Sequence, residues 1–465
     1  MNRTVWRGLA GALAAIVLGL GPSARAAPSG TDALAPRWAA TLQHIAEGKC
    51  DGVEWTAISQ DPAFLKLASA MRSVTFINLA ACIGGDRTHE WRALAAKEPD
   101  APPIAFALLF LEAVDRRDTE AALADLEADL RAAKRLAMSF VITNDDGIYY
   151  LYPRLDGDPA SKRRLLAALD MGDWTPSDPA MDPSSYWADY STFLLEAGEP
   201  AKAARVAKKV TAADVLLGMR LDGRFAEMVK TDPAMFDMEY AAYADLQRLQ
   251  KLYAAAADND NGAYAVIEAL RDLGRDDDAV AFADGVLKKD RIVDDKGLDY
   301  RNWIEDRRVY ALVGLGRFDA AIAAERVAAG RKERGGFNVS QVINLAEILI
   351  DQGRFQDALG LLDPMDEPGR TSPLGHGFVV QTRVCAFNGL GRSKDQADAL
   401  AFTAEHVGDN RPARLRALLC ANDISAAAQL MVEWLGDPLA RRRALVELLF
   451  TLIFLLIYCL YGTIL

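Results

Sequence analysis

The sequence predicts an all-α fold, a helical-hairpin repeat solenoid behind an irregular helical amino-terminal cap. Two observations predict it. Alanine, leucine and arginine dominate while the two-residue alternation of half-buried strands is scarce. One short phrase, a glycine or its equivalent between two amphipathic stretches, also recurs along the second half of the chain.

Residues 1–26 read as a secretory signal. Arg3 and Arg7 precede an uncharged apolar run from Leu9 to Leu20, and Ala24-Arg25-Ala26 places small residues where a signal peptidase reads them, so cleavage is expected after Ala26. The run is shorter than the roughly 20 residues a membrane span takes, and no cysteine follows it to carry a lipid. Loss of Arg3, Arg7 and Arg25 leaves 50 basic against 65 acidic residues, a net charge of −15. Such a field repels phosphate backbones, so no nucleic-acid partner is expected.

The cap spans 27–172. Pro62–Cys82 reads as one long helix, and Ile104–Val114 with Thr119–Leu136 as a hairpin turning at Asp115–Asp118. Thr143–Asp158 differs: it is acidic, contains glycine and carries Tyr149, Tyr150 and Tyr152. A proline- and aspartate-rich loop follows at Asp173–Pro183, and the two segments mark a joint between cap and repeats.

The repeats span 184–435. The phrase appears as Gly198-Glu-Pro-Ala-Lys-Ala203, Gly223-Arg-Phe-Ala-Glu-Met228, Gly274-Arg-Asp-Asp-Asp-Ala279, Gly316-Arg-Phe-Asp-Ala-Ala321, Gly353-Arg-Phe-Gln-Asp-Ala358 and Gly391-Arg-Ser-Lys-Asp-Gln396. A degenerate copy reads Asn422-Asp-Ile-Ser-Ala-Ala427. Glycine ends the first helix because it tolerates a left-handed backbone. The aromatic two residues on plugs the corner, and the alanine lets the helices approach. The flanking stretches carry apolar residues at helical spacing, as in Val342, Leu345 and Leu349. One hairpin cannot bury both faces alone, so neighbours must stack.

Gly-x-aromatic-x-x-Ala between two helices resembles the central turn of a tetratricopeptide (TPR) repeat. The glycine-to-glycine steps are 25, 51, 42, 37 and 38, against the family's 34. The resemblance implies a TPR-like superhelix in which the first helix of each hairpin lines a concave groove. Counting back from the turn glycines, that wall holds Tyr264, Glu268 and Arg271, then Trp303, Asp306, Arg307 and Tyr310. Asn344 and Glu347 follow, then Phe378, Gln381 and Asn388. Aromatic and arginine side chains are the types that anchor partner segments, although Trp303 and Tyr310 read equally well as packing between helices.

Among the cysteines Cys50, Cys82, Cys385, Cys420 and Cys459, the local pairs are Cys50–Cys82 and Cys385–Cys420. In an oxidising compartment they read as disulfides; buried free thiols are the other reading. The TPR-like register sets Cys385 and Cys420 on adjacent first helices.

The carboxy-terminal segment, 444–465, changes composition. Leu448 to Leu465 are 18 uncharged residues behind Arg441, Arg442 and Arg443. A membrane anchor leads on hydropathy; a capping helix and a tail altered by sequence error are the alternatives, since the arginines stand on the wrong side for an exported domain.

Chemistry finds little support. His44, His89, His376 and His406 are scattered, and zincin, phosphate-loop and nucleophile-elbow motifs are absent. Asp258–Gly262 imitates a calcium loop but puts Ala257 at its first ligand position. Glu325 and Glu347 read as solvated helix faces. The expectation is a non-enzyme without cofactor or metal: a periplasmic or envelope adaptor that binds other proteins or extended peptides, with a membrane tether through 448–465. The alternative is a structural component of an envelope assembly or export complex; an unrecognised enzyme ranks below both.

Overall fold

The computed structural model describes residues 62–449 apart from 63, 67, 84–87, 136–144, 177–180, 257–259, 290–299, 333–335, 368 and 439. The signal, the Cys50–Cys82 pair and residues 450–465 lie outside the described residues. Among these, every regular element is helical, and no helix is long and apolar enough to cross a membrane. The chain divides into two compact units, Met1–Asp178 and Pro179–Leu465.

The first unit holds α1 (Ser69–Ile83), α2 (Thr88–Lys97), α3 (Pro103–Asp115), α4 (Thr119–Arg135), α5 (Asp145–Arg154) and α6 (Pro159–Met171). Where one helix was expected over Pro62–Cys82, a 3-10 turn at Phe64–Lys66 precedes α1. Phe64, Phe76 and Trp91 form an aromatic core with α3, a helix apolar nearly all round. The acidic, tyrosine-rich segment expected to be a joint is helical as α5. Its composition resembles a loop, but Ile148, Leu151 and Leu155 fall at helical spacing and are buried, and burial outweighs weak propensity.

The α3–α4 and α6 exits share one turn. Arg117 and Asp173 take positive φ, 61° and 47°. In each, the following N–H reaches back five residues, Asp118 to Ala113 O and Trp174 to Leu169 O. This is the Schellman arrangement with a non-glycine at its left-handed position.

The second unit begins with α7 (Ser184–Glu196), α8 (Pro200–Ala207), α9 (Ala213–Leu221), α10 (Ala226–Thr231) and α11 (Met238–Ala255). Five further pairs follow: α12 (Asp260–Asp272) with α13 (Asp276–Leu287), α14 (Tyr300–Gly314) with α15 (Phe318–Ala329), α16 (Val339–Asp351) with α17 (Phe355–Leu362), α18 (Pro373–Gly389) with α19 (Ser393–Glu405), and α20 (Arg411–Cys420) with α21 (Ile424–Gly436). A last helix, α22, runs over 441–449. Each pair packs within itself, and α12 on α14, α16 on α18 and α18 on α20 link successive first helices.

The turn recurs at Gly198, Gly274, Gly316, Gly353, Gly391 and Asn422, with φ between 58° and 74°. At Gly316 the N–H donates to Val313 O at 2.9 Å and that of Arg317 to Leu312 O at 2.8 Å. The arginine behind the glycine holds the N-cap position of the second helix, and Arg354 there pairs with Asp357 in its first turn at 2.8 Å. Gly223 departs from the expected role. It opens a 3-10 turn, Gly223–Phe225, capped by Asp222, and has no positive φ. Its Arg224 pairs with Asp222 and Glu196 and donates to Pro438 O at 2.9 Å. The corner aromatic has a visible partner: a Cβ on Gly389 of α18 would meet the Phe355 ring at 2.3 to 2.5 Å, so only glycine admits that approach.

One core runs from Leu246 through Ala386, and a second joins α20 and α21 to Ala444 and Leu448 of α22. The unit thus continues past residue 435 and takes in the first residues of the apolar segment. Two of the three arginines ahead of that segment are also drawn into the fold: Arg441 donates to Leu435 O at 2.8 Å, and Arg442 pairs with Asp189.

Candidate functional site

The side chains of the expected groove wall sit on α12, α14, α16 and α18, and nine of them fall into two joined groups. Arg307 is the hub of the first. Its guanidinium is 2.8 Å from Glu268 and 3.3 Å from Asp306, and it donates twice to Tyr264 Oη at 3.2 Å. Its carbon stands 5.5 Å from the centroids of both Tyr264 and Tyr310. Arg271 approaches Glu268 at 3.4 Å and Tyr310 at 5.4 Å. Burial works against the Arg307 cation, yet Glu268 and Asp306 hold its pKa above the ordinary guanidinium value.

Asp306 joins α14 to α16. It is 1% exposed, and its Oδ1 accepts from Asn344 Nδ2 at 2.6 Å. Its Oδ2 receives no hydrogen bond. Burial lifts this carboxyl to about 6, against the pull of Arg307 and Asn344.

The second group is Glu347, Gln381 and the disulfide. Burial raises the Glu347 carboxyl, with Arg416 and a hydrogen bond from Gln381 opposing it. Gln381 Nε2 also lies 3.7 Å from Cys385 Sγ. Cys385 is bonded to Cys420, so α18 and α20 are covalently joined with Cα atoms 5.0 Å apart.

Three expected wall residues stand apart from both networks. Trp303 is half-buried, Phe378 leans on the core, and exposed Asn388 at the end of α18 accepts from Gln396 of α19. Glu325, expected on a solvated face, is fully buried in α15 with both carboxyl oxygens lacking a hydrogen bond. Burial raises it to about 9, with Asp306 and Glu305 adding to the effect, so it is a neutral acid at neutral pH.

Counting from the turns missed several neighbours of the wall. Asp272 falls four residues after Glu268 and extends that stripe; Arg416 stands four before Cys420, as Gln381 stands four before Cys385. Asp214 of α9 and Asp245 of α11 reach the same region, since both act on the Asp272 carboxyl. Spacing reveals Asp272 and Arg416 once the register is extended, whereas α9 and α11 lie where the repeat is irregular.

No group of three or more histidine, cysteine, aspartate or glutamate side chains is placed to hold a metal ion among the described residues. The network is built of paired charges and half-exposed rings on helices, an arrangement suited to recognising another chain. No protein-family model matches the sequence, and no curated protein matches it.

Proposed function

We propose that residues 184–449 form a tetratricopeptide-like solenoid and that its first helices hold a segment of a partner protein, making the chain an adaptor of the cell envelope. The observation that carries this reading is the coupling of wall residues across successive first helices, from Tyr264 on α12 through Arg307 and Asp306 on α14 to Asn344 on α16. A wall built from many helices binds an extended segment better than a compact ligand. Tyr264 and Tyr310 supply half-exposed rings beside arginines, the chemistry of interface anchors, and half-buried Trp303 lies on the same helix as Tyr310. The recurrent left-handed turns support the hairpin stack. The Cys385–Cys420 bond supports an oxidising compartment, in keeping with export by residues 1–26.

Site-specific photo-cross-linking tests it. A photoreactive residue replaces Trp303 in the full chain, and a control replaces Val432, which is 69% exposed on α21. Trapping of one stoichiometric partner from position 303 alone is the expected result. Equal trapping from both positions, or none, overturns the proposal.

A further inference from the structure

The last helix, α22, meets the end of the hairpin stack on one face and the beginning of the second unit on the other, and the two contacts differ in kind. Towards α20 and α21 the contact is apolar: fully buried Ala444 and, beside it, Leu448 join a core with Leu415, Leu418, Met431 and Trp434. Among the described residues that core takes in no side chain of α7 or α9. Towards α7 and α9 the links are polar. Arg442 pairs with Asp189 of α7. Arg224, just past α9, pairs with Asp222 at 2.6 Å and with Glu196, and donates to Pro438 O at 2.9 Å, between α21 and α22.

One small apolar contact accompanies these links. Gly218 is buried in the middle of α9, where a glycine weakens the helix relative to alanine. A Cβ there would stand 3.3 Å from Val446 Cγ2 and 3.5 Å from Arg442 O, so the glycine lets α22 lie against the α9 backbone. The irregular phrase at Gly223 has its place in the same seam. The arginines behind Gly274, Gly353 and Gly391 pair within the first turn of the next helix, whereas Arg224 reaches across to the chain entering α22.

We propose that α22 is a releasable strap: it stays on α20 and α21 and parts from α7 and α9, so that the second unit passes between a closed and an opened arrangement. The physical reason is the difference between its two faces. Parting Ala444 and Leu448 from their core would return apolar surface to water. When Arg442 parts from Asp189, both ions regain their hydration, which offsets much of the lost attraction. The same exchange with water leaves the Arg224 link to Pro438 O with a modest net contribution. Each hairpin packs on its neighbours, so small rotations between hairpins add along the stack once the strap lets go. Helices α12 to α18 lie between the two ends, and their stacking follows the state of the strap whatever they bind.

Fluorophores carried by noncanonical residues at Ala201 of α8 and Val432 of α21, both exposed, report the distance across the seam in the full chain. The parent should show one short distance at about 0.1 M salt and a growing longer-distance population towards about 1 M, as the screening length falls from roughly 10 to 3 Å. Arg224→Ala with Arg442→Ala removes both polar links, and Gly218→Leu wedges α22 off α9. Each should lengthen the distance already at low salt, by at least one interhelical spacing of about 10 Å. Arg443→Ala, at an exposed position of the same helix, should leave it unchanged. Circular dichroism follows the helix content throughout. A parent that stays closed at every salt concentration overturns the proposal, as does an unchanged distance in either the double variant or Gly218→Leu. So does helix content that falls as the distance grows, since α22 is then a fixed part of the fold.

Discussion

Arg442 on α22 donates to the carboxylate of Asp189 on α7, a residue 253 positions earlier in the chain. Both side chains are largely withdrawn from water, at 12% and 7% exposure. The eight helix steps from α7 to α22 would separate the two by roughly 70 Å in a straight stack. Their contact therefore requires that the path of helices bend back on itself. Val446 of α22 supports the same closure by packing 3.3 Å from the Cβ position of Gly218 on α9. Arg442→Ala removes one cation from the largely buried Asp189 and should cost about 1 to 3 kcal/mol. Asp189→Asn combined with Arg442→Met should recover much of that loss. Chemical denaturation measures both, and an unchanged midpoint in the single variant would show that the pair does not hold the ends together.

The shared turn predicts opposite effects for opposite substitutions. Arg117 and Asn422 hold left-handed φ of 61° and 58°, a conformation that costs an L-residue about 1 kcal/mol or more. Arg117→Gly and Asn422→Gly should each stabilise by a few tenths to about 1 kcal/mol. Gly316→Ala, with open space around the new methyl, should destabilise by about 1 kcal/mol through backbone strain alone. Thermal unfolding of the three variants tests the signs; a neutral Gly316→Ala would contradict the turn.

Glu325 predicts a pH dependence. Its carboxyl is raised by burial from 4.5 to about 9, so the folded chain keeps a proton that the unfolded chain has released. Stability contributed by this group is full below about 4.5 and is lost as pH rises towards 9, at up to about 1.4 kcal/mol per pH unit. Glu325→Gln removes the titration. It should be more stable than the parent at pH 8 and nearly equal to it at pH 4.5. Parallel melting curves would refute this.

Reduction of Cys385–Cys420 releases a loop of 35 residues. The chain-entropy model assigns such a cross-link about 4 kcal/mol. Denaturation with and without reductant should show a loss of this order beyond any that reductant causes in Cys385→Ser/Cys420→Ser.

The candidate site was partly legible before folding. Tyr264, Glu268 and Arg271 share a helical stripe that repeats at Asp306, Arg307 and Tyr310, and a turn glycine sets the register of each stripe. Legibility failed where the register was lost. Asp214 and Asp245 occupy helices between Gly198 and Gly274, where Gly223 opens a 3-10 turn rather than ending a hairpin helix. Glu325 was misread because an acid at a position facing the next helix looks, in sequence, like an acid facing water.

By itself the sequence determined the helical class and most of the turns, because helical periodicity and a glycine at a left-handed position are local properties of the chain. It could not assign the same turn to Arg117 and Asp173, whose residue types do not demand it; there the packing of α3 on α4 and the burial of Trp174 favour the left-handed backbone. Tertiary structure alone decided which charges meet. Arg307 finds Tyr264 43 residues away, Asp306 finds Asn344 38 away, and Arg442 finds Asp189 across 253. Such pairs depend on how helices stack and bend, and stacking is a sum of many small burial energies that no single residue announces.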